Sequence, residues 1–135
     1  MSIKRTSEIM KQYWDSQHTD VSLMADDVVF TMMATGEQTR GPEAVCQMLH
    51  YFYHVAFDAR AETTSELVSN GQAVIEAQVV GTHIGEFAGI AATGKEFRVP
   101  LCVVYDVEDD KIKQARIYFE IPALLAQLGV EMGPG

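Results

Sequence analysis

Glu120 stands at the end of an apolar, aromatic run, Ala115-Arg116-Ile117-Tyr118-Phe119-Glu120. A carboxylate there is unfavourable to bury, so its position asks for a partner, for solvent or for a task. The task it suits is acid/base chemistry at carbon, because an apolar pocket brings a carboxyl group toward the range in which it takes up and returns a proton. Tyr118 lies two residues earlier and shares a strand face with Glu120. A phenol on that face can hydrogen-bond a carbonyl oxygen and stabilise a developing enolate. Arg116 has the same parity and completes the set as a ligand contact. His83 ends another strand pattern at the mouth of a glycine-containing loop, where an imidazole can relay a proton near neutral pH. Each residue also has a plainer reading: Glu120 as an acid paired with Arg60 or Arg98, Tyr118 as a core aromatic, and His83 as a hydrogen-bonded structural histidine.

His50 and His54 are one helical turn apart, a spacing that superficially suits a metal, but no third ligand accompanies them. The two cysteines, Cys46 and Cys102, are far apart and form no CxxC pair, so both read as reduced, buried small residues and no metal site is expected. Tyr13, Trp14, Met32, Met48, Phe52 and Phe87 are core residues by default. Some of them are expected to line a cavity for a small hydrophobic molecule, because methionines adapt to an irregular ligand.

These side chains need elements to hold them. Residues 4 to 17 place Ile9, Met10, Tyr13 and Trp14 on one side of an amphipathic helix. Asp27 to Met33 reads as a strand, Thr35-Gly36 turns it into a short return strand ending at Arg40, and Gly41-Pro42-Glu43 opens a helix to about Val55. From Phe57 the period is two, with Phe57, Ala59, Ala61, Thr63, Ser65 and Leu67 on one face. Asn70-Gly71 predicts a hairpin into a strand carrying Ala73, Ile75, Ala77 and Val79. A third long strand runs from Phe97 to Val107, Asp109-Asp110 turns it into a fourth from Lys111 to Ile121, and Pro122 opens a short helix ended by Gly129. Helices first and antiparallel strands afterwards indicate an α+β fold with helices packed on one face of a bent sheet. The last strand is apolar or aromatic on both parities, and its outer face needs a cover. A second copy of the chain is the expected cover, giving a homodimer.

At 135 residues the chain suits one domain, taken as residues 1–135, and its 47% hydrophobic content suits a globular core. No stretch approaches the roughly 18 apolar residues that cross a bilayer. The N-terminus lacks the apolar core of a secretion signal, so the cytoplasm is the default location. A net charge of −9 repels phosphate backbones and anionic lipid, so neither nucleic acid nor membrane is expected as a partner.

The series GTHIGEFAGIAATGKEF, then VEDDKI, ARIYFE and ALLAQLG, resembles the C-terminal half of SnoaL-like polyketide cyclases, a family within the class that includes nuclear transport factor 2 and ketosteroid isomerase. The resemblance covers about Val80 to Gly129. It implies a cone-shaped α+β barrel, in which a strongly bent, mainly antiparallel sheet wraps around N-terminal helices and encloses a pocket. It also implies dimerisation, no metal or organic cofactor, and an acid near the end of the last long strand. Where the family's strand commonly ends in a His-x-Asp-like or Trp-Asp pattern, this chain has Tyr118 and Glu120. The resulting expectation is a cofactor-independent acid/base enzyme that cyclises or isomerises a small hydrophobic carbonyl compound, using Glu120 with Tyr118 or His83. The alternative is a noncatalytic ligand-binding or dimerisation module on the same fold.

Overall fold

In the computed structural model, which describes residues 2–130, the Ser2 hydroxyl accepts a hydrogen bond from the Arg5 backbone N–H at 3.0 Å and opens helix α1 (Ile3–Asp15). Thr6, Ile9, Met10 and Tyr13 recur at helical spacing and are buried, so α1 presents one stripe to the core. Strands β1 (Met24–Met32) and β2 (Glu37–Arg40) form the first hairpin. Gly41, at φ 90°, then admits Pro42 to the first turn of helix α2 (Pro42–His50).

The single helix expected to reach Val55 is divided. α2 ends at His50, and the chain widens into a π-helical stretch, Tyr51–Ala56. Such wide turns recur at functional sites. Here the adjacent residues Phe52 and Tyr53 both reach the interior.

Strands β3 (Phe57–Val68), β4 (Gln72–His83), β5 (Glu96–Glu108) and β6 (Lys111–Phe119) form an antiparallel meander. Gly71 turns β3 into β4 at φ 81°, and Asp109 and Asp110 turn β5 into β6 at φ 51° and 64°, the left-handed pair that a tight hairpin requires. Helix α3 (Ile121–Gln127) follows, with Gly129 at φ 80° just past its end. The sheet order is β2-β1-β6-β5-β4-β3, with β1 beside β6 as the one parallel pair. The fold is therefore α+β. The curved sheet wraps the helices as expected, but its edge strands β2 and β3 do not pair with each other, so the barrel stays open.

Two local features set the curvature and the faces. At Gly81 a side chain would fall on the Asp58 carbonyl and within 2.6 Å of the Ala59 Cβ, so β3 and β4 approach most closely where no Cβ intervenes. Between Thr63 and Ser65 the β3–β4 register slips by one residue. The bulge moves Leu67, expected inward, opposite Val74 on the outer face, where it is 68% exposed, and gives Val68 its inward place. Cys46 and Cys102 are free thiols, both half-buried. Among the described residues no helix is long and apolar enough to cross a membrane, and no group of three or more His, Cys, Asp or Glu could hold a metal ion.

Candidate functional site

A strand offers one face to the interior, and in β6 the more apolar pair takes it. Ile117 and Phe119 stand opposite Val103 and Leu101, and both are buried. Tyr118 is consequently on the outer face opposite Cys102, and 46% exposed. Glu120 lies past the strand end, exposed, as the residue preceding α3. Arg116 shares the outer parity and makes a two-pronged pair with Asp106 at 2.6 and 3.3 Å. The hydrogen bond to Arg116 holds the Asp106 carboxyl below its usual range, and the same bond raises the guanidinium. The expectation that Tyr118, Glu120 and Arg116 meet inside a pocket is thus corrected by strand parity.

His83 is fully buried, on the inward parity, yet it is not on the cavity wall. Its Nδ1 accepts the Thr93 backbone N–H at 3.2 Å and lies 3.0 Å from the Thr93 hydroxyl, so the ring proton sits on Nε2, which is buried without a partner. The ring lies against Phe57 at 5.2 Å between centroids and ties the loop of residues 84–95 to β4. Phe87, in that loop, packs on Phe57 at 4.9 Å and Phe52 at 6.0 Å, behind the wall of the cavity.

The sheet's inner face, α1, α2 and the π-helical stretch enclose a cavity of about 60 Å³. Of the residues expected to contact a ligand, the structure places Tyr13, Met32, Met48 and Phe52 on its wall, and Trp14 just outside. Tyr53, Tyr105 and His18 join them, and the wall carries no carboxylate or amine among the described residues. The Tyr13 hydroxyl and the Trp14 indole N–H are buried without hydrogen-bond partners, and both rings lie 6.0 Å from that of Tyr105. An unmade hydrogen bond at a buried group costs about 1–3 kcal/mol, so two neighbouring orphans call for a functional explanation.

Burial sets the protonation of this cluster. It raises Tyr13 well above the ordinary phenol value, with Tyr105, Tyr53 and Cys46 adding to the rise, and it pushes Tyr53 up to about 12. It raises Tyr105 as well, opposed in part by the nearby Trp14 N–H. All three phenols therefore keep their protons at neutral pH. His18 sits in a left-handed turn with Gln17, at φ 65° and 56°, stacks on Tyr53 at 5.7 Å, and meets Tyr13 edge-on at 5.4 Å. Burial lowers its pKa from 6.5, which leaves a neutral imidazole that can accept a proton.

Sequence reasoning missed Tyr105, Tyr53 and His18 as site residues. Tyr105 carried a usable signal, because it continues the inward series Phe97, Val99, Leu101, Val103. His18 carried none, since a turn of positive φ just past α1 aims its ring and no local pattern announces that turn.

A family model described as SnoaL-like polyketide cyclase matches residues 4–128. Among solved structures, the chain is similar to a protein provisionally named a SnoaL-like polyketide cyclase from Jannaschia sp. CCS1, at 15% identity and a TM-score of 0.83, covering 96% of this chain and 94% of that one. It is similar to TsrD from Streptomyces laurentii at 22% identity and a TM-score of 0.76, covering 95% and 97%. It is also similar to a Catenulispora acidiphila protein with a ketosteroid isomerase-like fold, solved with trimethylamine, at 19% identity and a TM-score of 0.74, covering 96% and 99%. At these identities the likeness establishes the fold. No curated protein matched the sequence.

Proposed function

Because the chain belongs to the SnoaL-like polyketide cyclase family, we propose that its inner cavity binds a small apolar carbonyl compound and catalyses enolisation, followed by aldol closure or isomerisation. The observation that carries this reading is the orphaned Tyr13 O–H on an apolar cavity wall that also includes one neutral imidazole. A carbonyl oxygen placed against the Tyr13 hydroxyl would satisfy it. His18 takes a proton from the carbon beside the carbonyl, and the electron pair moves to the oxygen, where the Tyr13 hydroxyl holds the enolate. The enolate carbon then attacks a second carbonyl of the same molecule, and the proton returns from His18 to the new alkoxide. Isomerisation returns it instead to another carbon. Glu120, exposed outside the cavity, has no part in these steps.

The second reading is a binding module without turnover, and the absence of any carboxylate on the described cavity wall favours it. The two readings separate on hydrogen exchange. Incubated with 2-octanone in deuterium oxide and followed by proton NMR, the enzyme reading expects deuterium at the carbons beside the carbonyl, with His18→Gln abolishing exchange. Bound but unexchanged ketone supports the module. The protein is further proposed to act as a homodimer through the outer face of the sheet, where Val74, Val104, Cys102 and the exposed Tyr118 adjoin in register.

A further inference from the structure

Outside the inner cavity lies an open groove of about 390 Å³, and the two share His18, Leu49 and Tyr53 as a common boundary. The inner space of about 60 Å³ falls far short of the roughly 300–1,000 Å³ of ordinary ligand sites, whereas the groove falls within that range. A ligand that reaches the Tyr13 hydroxyl must therefore extend past the boundary and leave much of itself in the groove.

The groove's chemistry is unlike the inner wall's. His18, His50 and His54 border it and, among the described residues, no Asp or Glu does, although the chain carries 19 acidic residues against 10 basic ones. An anion is repelled across most of this surface and meets no carboxylate here. The rings of His50 and His54 lie 5.2 Å apart, exposed, and neither makes a hydrogen bond or ion pair among the described residues. His50 is the last residue of α2 and His54 lies one turn further on, in the π-helical stretch. Arg60 also borders the groove, one side of its guanidinium engaged with Glu62 at 2.7 Å, and adds donors beside the two imidazoles. Two N–H donors on successive turns match the two oxygens of one carboxylate. Among the described residues no lysine borders the groove and its one guanidinium is shared with Glu62, which suits a singly charged carboxylate better than a doubly charged phosphate.

We infer that the ligand is a carboxylate-bearing amphiphile, whose apolar carbonyl end enters the inner cavity and whose anionic end lies in the groove against His50 and His54. This rests on the proposed reading of the inner cavity and adds to it the substrate's second group.

The test is calorimetric titration of the wild type and of a His50→Gln/His54→Gln double variant, at one fixed near-neutral pH, with 7-oxooctanoic acid, its methyl ester and 2-octanone. The wild type is expected to bind the acid about tenfold more tightly than the ester. The double variant should lose that preference while binding 2-octanone as the wild type does, which also shows that it is folded. Equal binding of acid and ester by the wild type, or a preference that survives in the variant, overturns the inference. If 2-octanone binds and the acid gains nothing, the inner-cavity reading stands alone; if none of the three binds, both fall.

Discussion

At Tyr13, binding and stability pull in opposite directions. Its hydroxyl is buried without a partner, so Tyr13→Phe is expected to raise the unliganded protein's stability by about 1 kcal/mol in urea denaturation. The same change should weaken binding of an apolar ketone by about tenfold, because the carbonyl loses a donor. At His18 the sign follows from burial, which lowers the pKa from 6.5. The base is active when neutral, so kcat/KM should fall on the acid side with an inflection below 6.5, and His18→Gln should remove about 10²–10⁴-fold of the turnover. Between the lowered value and 6.5 the unfolded chain binds more protons at this residue than the native one, so its contribution makes stability rise with pH across that window. Glu120→Gln and Tyr118→Phe, both on exposed residues outside the cavity, should leave turnover within about twofold of wild type. That Glu120 is a carboxylate on the same parity as Tyr118 was legible in the sequence, but its location was not. Parity shows that Tyr118 and Glu120 share a face; which face is inward depends on Ile117 and Phe119 pairing with Val103 and Leu101 across the sheet.

Element by element, far more could be read in advance. Asn70-Gly71 and Asp109-Asp110 set the β3–β4 and β5–β6 hairpins, Pro42 and Pro122 opened helices, and alternation marked the long strands, because each signal is local chemistry with one main structural outcome. What escaped was non-local. The bulge at Thr64, which reverses the faces of Leu67 and Val68, arises from pairing with β4, and the π-helical stretch after His50 has no local signal in the sequence. Gly81 tests the same point. Replacing it with alanine forces a Cβ onto the Asp58 carbonyl and Ala59, so Gly81→Ala should destabilise the protein by about 1–3 kcal/mol, read as a lowered urea midpoint at unchanged slope.

Across the whole molecule, the sheet separates two roles. Its inner face carries the apolar cavity and the unpartnered donors, while its outer face carries the Arg116–Asp106 pair and the Val74, Val104, Cys102 and Tyr118 strip. If that strip joins two copies, Tyr118→Lys places a charge at the interface, and the dimer dissociation constant should rise at least about tenfold in sedimentation, without loss of ketone binding. The central claim is that ligand chemistry belongs to the inner face, and the chain's single tryptophan, Trp14, sits beside it. The most direct measurement is therefore titration of 2-octanone into the wild type, Tyr13→Phe and Glu120→Gln, followed by Trp14 fluorescence. Equal affinity for the wild type and Glu120→Gln, with about tenfold weaker binding by Tyr13→Phe, is the predicted result; loss of binding in Glu120→Gln with Tyr13→Phe unaffected would contradict it.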